Sequence, residues 1–508
     1  MGASAGTTLA TILTALRDAG LLAAEPGVLP DHVSAITDDS RTVVSGGCFV
    51  AVCGTIQDGH DYIASARADG AAVVIVEDAG RAASSSSGSS PVIVVRHGRR
   101  AAAVAAAAFY GHPARALRLV AVTGTNGKTT TVGMLRHLLD APAPNRAASI
   151  GTLGVLVGST GTPVKGGGGL TTPGPVELQR VLRVLVDAGV AAVAMEVSSH
   201  SLAQQRVEGI EFDVAVFTNL TRDHLDYHGT MEEYFAAKAA LVRHLKADGA
   251  AVVNVDDDAW AALPATPRRV TFGGTDGADV RARYIRYETQ GSRFRLVTPQ
   301  GAAEVSLPLI GDFNVTNAIG AAGAAHALGM DPSLIATRLA SQPQVPGRLE
   351  RIGERPTVLR DYAHTPDALD RALTTLRASV QGRLIVVFGA GGDRDPGKRP
   401  LMGAIAARLA DVVIITSDNP RTEDPERIID GIAAGIPGGG YERIEDRRAA
   451  IARAIAVADP EKDLVLLAGK GHETYQVRGS TKLPFDECQI VAELMAPTAS
   501  AAGRPGGR

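Results

Sequence analysis

The stretch Gly124–Thr131, with the sequence GTNGKTTT, has the residue types of a phosphate-binding loop. The apolar run Leu117–Val122 before it is predicted to be a buried strand, and Val132–Leu139 after it a helix. In such a unit, glycines let backbone N–H groups approach a phosphate, and the helix N-terminus favours negative charge. Lys128 is expected to reach the terminal phosphates, and the Thr129 hydroxyl to hold Mg²⁺. A turn that contains Gly-Lys-Thr by chance is the alternative, and the order of strand, loop and helix argues against it.

Polar side chains also follow two later apolar runs. Glu196 comes directly after the predicted strand Val190–Met195, and His224 follows the predicted strand Phe212–Phe217 within a few residues. Ligands of open parallel sheets bind outside the carboxyl ends of the strands, so these groups should meet at the phosphate loop. Both are suited to a second metal ion. The alternatives are a surface carboxylate for Glu196 and a capped turn histidine for His224.

Composition restricts the class of protein. The chain has 508 residues, of which 45% are hydrophobic and 21% charged, as in a soluble globular protein of about three domains. The net charge of −3 implies no broad basic face for nucleic acid. No apolar run reaches membrane-spanning length, the N-terminus lacks the basic start of a signal peptide, and the three cysteines are sparse. We therefore expect a cytoplasmic protein.

The elements that position these residues are predicted to form three α/β domains. Residues 1–114 would form a small α/β domain, residues 115–345 a P-loop-type ATP-binding domain on a parallel sheet, and residues 346–495 a doubly wound, Rossmann-like domain. Residues 496–508 are expected to be a disordered tail, and the serine-rich tract 84–90 a flexible loop. Four predicted strands of the third domain each end in a polar cluster: Val358–Asp361, Leu384–Phe388, Val412–Thr416 and Leu464–Ala468.

Nine short motifs occur in an order that resembles the Mur ligase family. They extend over nearly the whole chain, which makes the resemblance specific although each motif alone is weak. The general phosphate-loop pattern would need glycine at the position of Val122, but this loop matches the family's own form, GTNGKT(T/S). The resemblance implies a three-domain fold and an ATP-dependent amide ligase. The motifs are GTNGKTTT, EVSSH, NLTRDHLDYHG, GDFNVTN, GRLE, DYAHTPD, GGDRD, DNPR and GKGHE.

The reaction that this resemblance implies begins when ATP, with Mg²⁺, phosphorylates the carboxylate of a dipeptide linked to UDP-N-acetylmuramate. The amine of an amino acid then attacks the acyl phosphate, which yields an amide, ADP and phosphate in peptidoglycan precursor synthesis. The expected partners are these small molecules, with no nucleic acid, no membrane and a monomeric chain. Two other classes stay open: an NTPase without ligase activity, and a non-catalytic nucleotide-binding or scaffold protein. Phosphate release discriminates between them, because a ligase needs both co-substrates.

By resemblance, the catalytic residues are Lys128, Glu196, His224 and Lys238, and the metal ligands are Thr129, Glu196, His224 and Lys238. Lys238 lies in a helix predicted at Glu232–Leu245 and would carry a carbamate, because a desolvated amine is neutral and can react with CO₂. An ordinary solvated lysine is the alternative. A local backbone bond at a helix start is the alternative for Asn317. The implied ATP contacts are Gly124, Thr125, Asn126, Gly127, Lys128, Thr129, Thr130, Asn314, Asn317, Arg348 and Asp361.

The nucleotide-sugar substrate is expected to contact two groups of residues. Arg206 is the natural partner for a glutamate carboxylate, because its planar fork gives bidentate bonding. The loops near Ser40 and Thr55 also have the composition of ordinary solvated turns. The resemblance implies Ser40, Thr55, Ile56 and Gln57 for the UDP end, and Thr171, Thr172, Ser198, Gln204 and Arg206 for the muramoyl-dipeptide.

The tetrapeptide Asp418–Arg421, with the sequence DNPR, is expected to select the amino acid. Pro420 biases Asn419 toward extended geometry, and Arg421 offers a fork that matches a carboxylate. In the family this motif marks members that add meso-2,6-diaminopimelate, which has a distal carboxylate that lysine lacks. The alternatives are the same reaction with L-lysine, and a simple turn at this tetrapeptide. The implied contacts are Arg394, Asp418, Asn419, Pro420, Arg421, Gly469 and Glu473.

Overall fold

The computed structural model describes residues 7–24, 26–55, 57–84, 90–141, 143–288 and 290–496. The chain divides into two compact units. Ile56, residues 85–89 of the predicted flexible loop and residues 497–508 of the predicted tail lie outside the described residues. The first unit contains Met1–Arg283, Arg295–Val305 and Thr316–Ser341, and the second contains Tyr284–Phe294, Ser306–Val315 and Gln342–Arg508.

A four-stranded parallel sheet, in the order β3-β4-β5-β6, lies at the start of the first unit. Its central strands are apolar runs buried on both faces, as expected of a parallel sheet between helices. The strands of this sheet are β3 Ile36–Thr37, β4 Cys48–Val50, β5 Val73–Val76 and β6 Val92–Val94. Two earlier strands, β1 Thr7–Thr8 and β2 His32–Val33, form a separate pair. The helices are α1 Leu9–Asp18, α2 Ile63–Ala68, α3 Ala79–Ser84 and α4 Gly98–Phe109.

An eight-stranded sheet forms the centre of the first unit, in the order β10-β9-β8-β11-β7-β12-β13-β14. The six strands from β8 to β14 in this order are parallel to one another. Strand β9 pairs antiparallel with β8, and β10 pairs antiparallel with β9. Strands β11 and β12 flank β7, so their carboxyl ends lie beside the loop that follows β7. The strands are β7 Arg118–Thr123, β8 Ala147–Gly151, β9 Gly154–Val157, β10 Thr162–Val164, β11 Ala192–Glu196, β12 Phe212–Phe217, β13 Leu245–Asn254 and β14 Arg268–Phe272.

Two helix boundaries around this sheet differ from the sequence prediction. The helix after the loop begins at Lys128, because the threonines of the motif already form its first turn. The helix that carries Lys238 ends at Ala239, and Leu245 starts a strand instead. The helices are α5 Lys128–Leu139, α6 Pro175–Asp187, α7 Ser199–Ala203, α8 Leu225–His228 and α9 Met231–Ala239. They are followed by strands β15 Arg281–Glu288, β16 Gly291–Thr298 and β17 Gly301–Leu307, and by helices α10 Asp312–Ala327 and α11 Pro332–Ala340.

The second unit is built on a six-stranded sheet in the order β18-β19-β23-β20-β21-β22. Five strands are parallel, and β18 pairs antiparallel with β19. The mixed α/β fold with parallel sheets confirms the predicted fold class. The strands of this sheet are β18 Glu350–Glu354, β19 Thr357–Asp361, β20 Leu384–Phe388, β21 Val412–Ile415, β22 Glu442–Arg443 and β23 Leu464–Ala468. Two further strands, β24 Tyr475–Arg478 and β25 Thr481–Pro484, form a separate pair. The helices are α12 Pro366–Arg377, α13 Lys398–Leu409, α14 Pro425–Ala433, α15 Arg447–Val457 and α16 Glu487–Met495.

A buried ion pair joins the last two helices of this unit. Arg447 Nε donates to Glu487 Oε1 at 2.8 Å, and both side chains are 0% exposed. Arg447 Nη2 also donates to the backbone carbonyl of Ala468, the last residue of β23, at 3.0 Å. The pair therefore ties α16 to the sheet through α15. Within the ranges that the structure describes, none of the helices is both long and apolar enough to cross a lipid bilayer.

Candidate functional site

Two glycines of the phosphate loop lie where a side chain cannot fit. Gly124 has φ +143° and Gly127 has φ +86°, which are backbone conformations that L side chains rarely adopt. A Cβ atom at Gly124 would lie 1.9 Å from Thr218 Oγ1, and one at Gly127 would lie 2.4 Å from Asn317 Oδ1. Both positions therefore require glycine, and the loop is packed tightly against its neighbours.

The loop is held in shape by the two residues that follow β12. The Thr125 N–H donates to the Asn219 carbonyl at 2.7 Å, and the Asn126 N–H donates to Asn219 Oδ1 at 2.9 Å. Thr218 Oγ1 donates to the Asn126 carbonyl at 2.7 Å. We did not assign Thr218 and Asn219 a role from the sequence, although their position directly after an apolar strand was a signal.

Two lysine side chains converge on one backbone carbonyl of the loop. Lys128 Nζ donates to the carbonyl oxygens of Gly124 at 2.9 Å and Thr125 at 2.8 Å. Lys238 Nζ donates to the same Gly124 oxygen at 2.7 Å and lies 4.6 Å from the centre of the Tyr234 ring. Lys238 is 1% exposed, so the interpretation as a solvated helix lysine is wrong. Burial, reinforced by the charge of Lys128, lowers the pKa of Lys238 well below its ordinary value.

Glu196 is buried at the end of β11, and the interpretation as a surface carboxylate is wrong because its side chain is part of the core. Its Oε2 accepts a hydrogen bond from Thr129 Oγ1 at 3.1 Å, and its Oε1 accepts one from the Thr152 N–H at 2.8 Å. Thr152 was missed from the sequence because the strand before it was not predicted. A hydroxyl and a carboxylate side by side are the oxygen ligands that Mg²⁺ prefers, so Thr129 and Glu196 fit this ion.

His224 lies at the N-terminal end of α8 with φ +54°, and its N–H donates to Asp223 Oδ1 at 2.9 Å. Its ring packs edge-on against His200, with centroids 4.8 Å apart. Burial first, and then the charges of Lys128 and Lys238, lower the pKa of His224. Among the described residues, no group of three or more His, Cys, Asp or Glu is arranged to hold a metal ion. The predicted metal site thus depends on Thr129 and on a modified Lys238 as well.

The two candidate adenine-binding asparagines have different surroundings. Asn317 is in the first unit, where its Oδ1 accepts from Thr131 Oγ1 at 3.5 Å beside the phosphate loop. Asn314 is buried in the second unit, where its Nδ2 donates to the Ile310 carbonyl at 2.8 Å. Asn314 thus makes a local bond at the start of its helix, and the role of Asn317 stays a prediction.

Five predicted muramoyl-dipeptide residues form a connected group beside Glu196. The Arg206 guanidinium donates through Nε and Nη2 to Gln204 Oε1 at 3.2 and 2.6 Å, and through Nη1 to the Thr172 carbonyl at 2.8 Å. Thr172 Oγ1 accepts from the Ser198 N–H at 3.2 Å and donates to the Glu196 carbonyl at 2.8 Å. The fifth member, Thr171, accepts from Thr152 Oγ1 at 3.4 Å.

The predicted contacts for the UDP end lie on loops of the first sheet. Ser40 starts a short turn and is half-buried, whereas Thr55 and Gln57 are exposed. Arg99 holds the second loop, since its Nε and Nη2 donate to the Cys53 carbonyl at 3.1 and 3.0 Å. Arg99 could not be found from the sequence, because its partner is a backbone atom distant in the chain.

In the second unit, the DNPR motif lies against the GKGHE motif. Lys470 is 0% exposed, and its Nζ lies 3.1 Å from Asn419 Oδ1, 3.4 Å from Glu473 Oε2 and 3.5 Å from Asp418 Oδ1. Asn419 Nδ2 donates to Glu473 Oε2 at 2.8 Å. The Gly469 N–H donates to the Asp361 carbonyl at 3.0 Å. The predicted residues Asp418, Asn419, Gly469 and Glu473 are thus brought together, around a lysine to which we had assigned no role.

Arg421 and Arg394 differ in how firmly they are held. Arg421 follows Pro420 with φ +53°, its N–H donates to the Val477 carbonyl at 3.1 Å, and its Nη1 donates to the Gly392 carbonyl at 2.6 Å. The backbone thus fixes where its guanidinium lies. Arg394 is exposed on the loop that follows β20.

Arg348 and Asp361 are also in the second unit. The Arg348 guanidinium lies over the Tyr362 ring, 5.1 Å from its centre. Asp361 Oδ2 accepts from the Leu349 N–H at 2.7 Å. Burial raises the pKa of Asp361, while the charge of Arg348 opposes this shift.

Three family descriptions match the chain in succession. The Mur ligase family catalytic domain matches residues 32–110, the Mur ligase middle domain matches residues 122–325, and the Mur ligase glutamate ligase domain matches residues 347–471. Each matched range lies within one of the three predicted domains.

Known proteins match over most of their own length. The UDP-N-acetylmuramoyl-L-alanyl-D-glutamate–2,6-diaminopimelate ligase of Geobacillus kaustophilus is 45% identical over 471 residues, which cover 90% of this chain and 94% of that protein. A solved structure of a ligase with the same name is 36% identical, has a TM-score of 0.65, and covers 91% of this chain and 95% of its own. The MurF ligase of Thermotoga maritima in complex with ADP has a TM-score of 0.61 at 21% identity, with 91% and 96% coverage, which shows a shared fold alone. The chain therefore belongs to the Mur ligase family.

Proposed function

We propose that this protein is an ATP-dependent amide ligase that joins meso-2,6-diaminopimelate to the D-glutamate of UDP-N-acetylmuramoyl-L-alanyl-D-glutamate. The name of the 45% identical Geobacillus kaustophilus relative supports this substrate pair. The observation that carries the proposal is the arrangement of Lys128, Lys238, Thr129 and Glu196 around one glycine-rich loop. Lys128 supplies a cation for the phosphates, and the other three side chains supply oxygen ligands for Mg²⁺ once Lys238 carries a carbamate, as phosphoryl transfer requires.

Lys128 binds the terminal phosphates of ATP and offsets their negative charge. In the free protein its ammonium bonds to the carbonyls of Gly124 and Thr125, so it already lies at the loop and exchanges these acceptors for phosphate oxygens. When bound, Mg²⁺ neutralises the charge that develops on the phosphoryl group. The residues that would hold it are Thr129, Glu196, His224 and Lys238 as a carbamate. ATP is further bound by Asn314, Asn317, Arg348 and Asp361.

The nucleotide-sugar substrate binds in the first unit. Arg206 holds a carboxylate of the substrate's glutamate. Because Gln204 and Thr172 accept from three of its N–H groups, the guanidinium plane is oriented before the substrate arrives. Ser40 and the loop of Thr55 and Gln57 bind the UDP end. Ile56 belongs to the same proposed contact, and no structural argument is attached to it.

The amino acid binds in the second unit. Arg421 and Arg394 pair with carboxylates, and Glu473, with Asn419 beside it, accepts from the distal ammonium. L-Lysine lacks the distal carboxylate, so Arg421 would then face a cationic chain end without an anion. The reaction runs in the cytoplasm, in a monomeric enzyme whose partners are small molecules.

The test is to measure phosphate release while each of ATP, the nucleotide-dipeptide and the amino acid is omitted in turn. All three should be needed, and meso-diaminopimelate should give far higher turnover than L-lysine in the complete mixture. Phosphate release without the amino acid would favour an NTPase, and equal turnover with L-lysine would favour the alternative amino acid.

A further inference from the structure

The proposed amino-acid site contains one fully buried cation whose role is not yet assigned. Lys470 directly follows Gly469 after β23, and none of its side chain is exposed. A buried ammonium has three N–H donors and is costly unless each finds an acceptor. Here the three acceptors are Asn419 Oδ1 at 3.1 Å, Glu473 Oε2 at 3.4 Å and Asp418 Oδ1 at 3.5 Å. All three belong to the set that we propose for the amino acid.

Lys470 fixes the orientation of the Asn419 amide. Asn419 Oδ1 accepts from Lys470 Nζ and also from the Val477 N–H at 2.9 Å. The reversed amide would direct its N–H groups at two donors, so only the observed orientation satisfies all the groups. Consequently Asn419 Nδ2 faces Glu473 and donates to its Oε2 at 2.8 Å.

Glu473 is held by the same cation. Its Oε2 lies within reach of both Lys470 Nζ and Asn419 Nδ2, so this oxygen is engaged inside the protein. Oε1 is the oxygen that remains for a ligand. The ammonium between Asp418 and Glu473 also offsets the repulsion between their two carboxylates. One cation with two carboxylates leaves the cluster with one negative charge, which suits a substrate ammonium.

We infer that Lys470 is a positioning residue for the amino acid: without touching the substrate, it orients Asn419 and, both directly and through the Asn419 amide, holds Glu473 for the distal ammonium. The inference rests on the proposed function, since it needs an amino acid with a second ammonium. Substitution of Lys470 should weaken amino-acid binding, because its three contacts are all residues of the proposed amino-acid site.

The experiment compares Lys470→Met with wild type and with Lys462→Met, a control at an exposed lysine of the same unit. KM is measured separately for meso-diaminopimelate, ATP and the nucleotide-dipeptide. In Lys470→Met the amino-acid KM should rise at least about tenfold, as loss of a buried charge partner does, while the other two KM values stay within error. Lys462→Met should behave as wild type. A wild type that does not use diaminopimelate would contradict the proposed function itself, whereas an active wild type with an unchanged amino-acid KM in Lys470→Met would contradict only this inference.

Two further variants separate positioning from general support of the fold. Lys470→Gln keeps a donor toward Asn419 Oδ1 without the charge, and it should also raise the amino-acid KM. In a Glu473→Gln background, Lys470→Met should have a smaller effect than in wild type, because the carboxylate through which it acts is gone. Equal rises in all three KM values, fully additive effects, or a failure of both Lys470 variants to fold would each overturn the inference and leave Lys470 as a structural residue.

Discussion

Lys238 Nζ donates to the Gly124 carbonyl at 2.7 Å, so a buried helix lysine is bonded directly to the first glycine of the phosphate loop. Lys128 Nζ donates to the same oxygen at 2.9 Å. The loop thus gathers two lysine side chains at a single acceptor. This arrangement makes the loop sensitive to the charge of either lysine.

Lys128→Ala should abolish product formation while the protein stays folded, because a loop lysine that faces phosphates adds little to the hydrophobic core. The loss of a group that stabilises developing charge costs on the order of 10²–10³ in turnover. Thermal unfolding and ADP release measured together test this, with the exposed Lys165→Ala as the control. Near-normal turnover in Lys128→Ala would contradict the ATP assignment.

Glu196→Gln should raise the Mg²⁺ concentration needed for half-maximal activity. The substitution keeps the shape and the acceptor for the Thr152 N–H but removes the negative charge beside Thr129. Activity is titrated with Mg²⁺ in wild type, in Glu196→Gln and in the exposed control Glu232→Gln. An identical Mg²⁺ dependence in all three would remove Glu196 from the metal site.

Lys238→Ala should be inactive and should regain partial activity when a short carboxylic acid is added, because a free carboxylate can replace the carbamate anion. The lowered pKa of Lys238, caused first by burial, favours the neutral form of its amine, which is the form that reacts. The measurement is ADP release against acetate concentration, with Lys128→Ala as a variant that acetate should not restore. Absence of any recovery would weaken the carbamate hypothesis.

Arg421→Ala should lose most of the preference for meso-diaminopimelate over L-lysine. Loss of one side of a buried carboxylate contact costs roughly 2–5 kcal/mol, so the specificity constant should fall mainly for diaminopimelate. The two specificity constants are compared in wild type, Arg421→Ala and Arg427→Ala, an exposed arginine of α14. A full preference retained in Arg421→Ala would refute the assignment.

His137 should make the first unit less stable in acid. Burial first, and then the charge of Arg338, lower its pKa from 6.5 to about 4. The unfolded chain therefore binds a proton that the folded protein does not, and stability present above pH 6.5 is lost as pH falls toward 4. The melting temperature of His137→Gln should fall less between pH 7 and 4.5 (about the span of that shift) than that of wild type.

The geometry around His137 gives the reason for this prediction. Nε2 donates to the Arg338 carbonyl at 2.9 Å, while Nδ1 lies 3.4 Å from the Arg338 guanidinium and accepts from it. Protonation of Nδ1 would place its N–H donor opposite the N–H donor of the Arg338 guanidinium. An exposed histidine variant, His32→Gln, serves as the control, and an equal fall in His137→Gln and wild type would contradict the assignment.

Several strands of both large sheets could be predicted because they are short apolar runs that end in polar residues. Phe212–Phe217, Leu384–Phe388 and Leu464–Ala468 have the predicted bounds. Since parallel strands end at one edge, this pattern also placed Glu196 beside the phosphate loop. The order of the nine motifs identified the family.

Partners that depend on tertiary pairing could not be predicted. The strand before Thr152 has the sequence AASIG. It has too few large apolar residues to be recognised as a strand from the sequence, although it is fully buried. A lysine is expected at the surface because its side chain is charged. The burial of Lys470 is explained only by the approach of Asp418, Asn419 and Glu473, which come from other parts of the chain or from the next turn. The early end of α9 at Ala239 likewise depends on where β13 joins the sheet.

The buried pair of Arg447 and Glu487 determines how far the chain can be shortened in protein engineering. A version cut before Glu487 would leave the Arg447 guanidinium buried without its carboxylate, which costs about 3–5 kcal/mol. The shortest version that keeps the second unit folded therefore includes Glu487 and, because Ile490 and Val491 are buried in the core, the turns of α16 that carry them. A fluorescent protein or affinity tag fused at this end of the chain belongs after Met495.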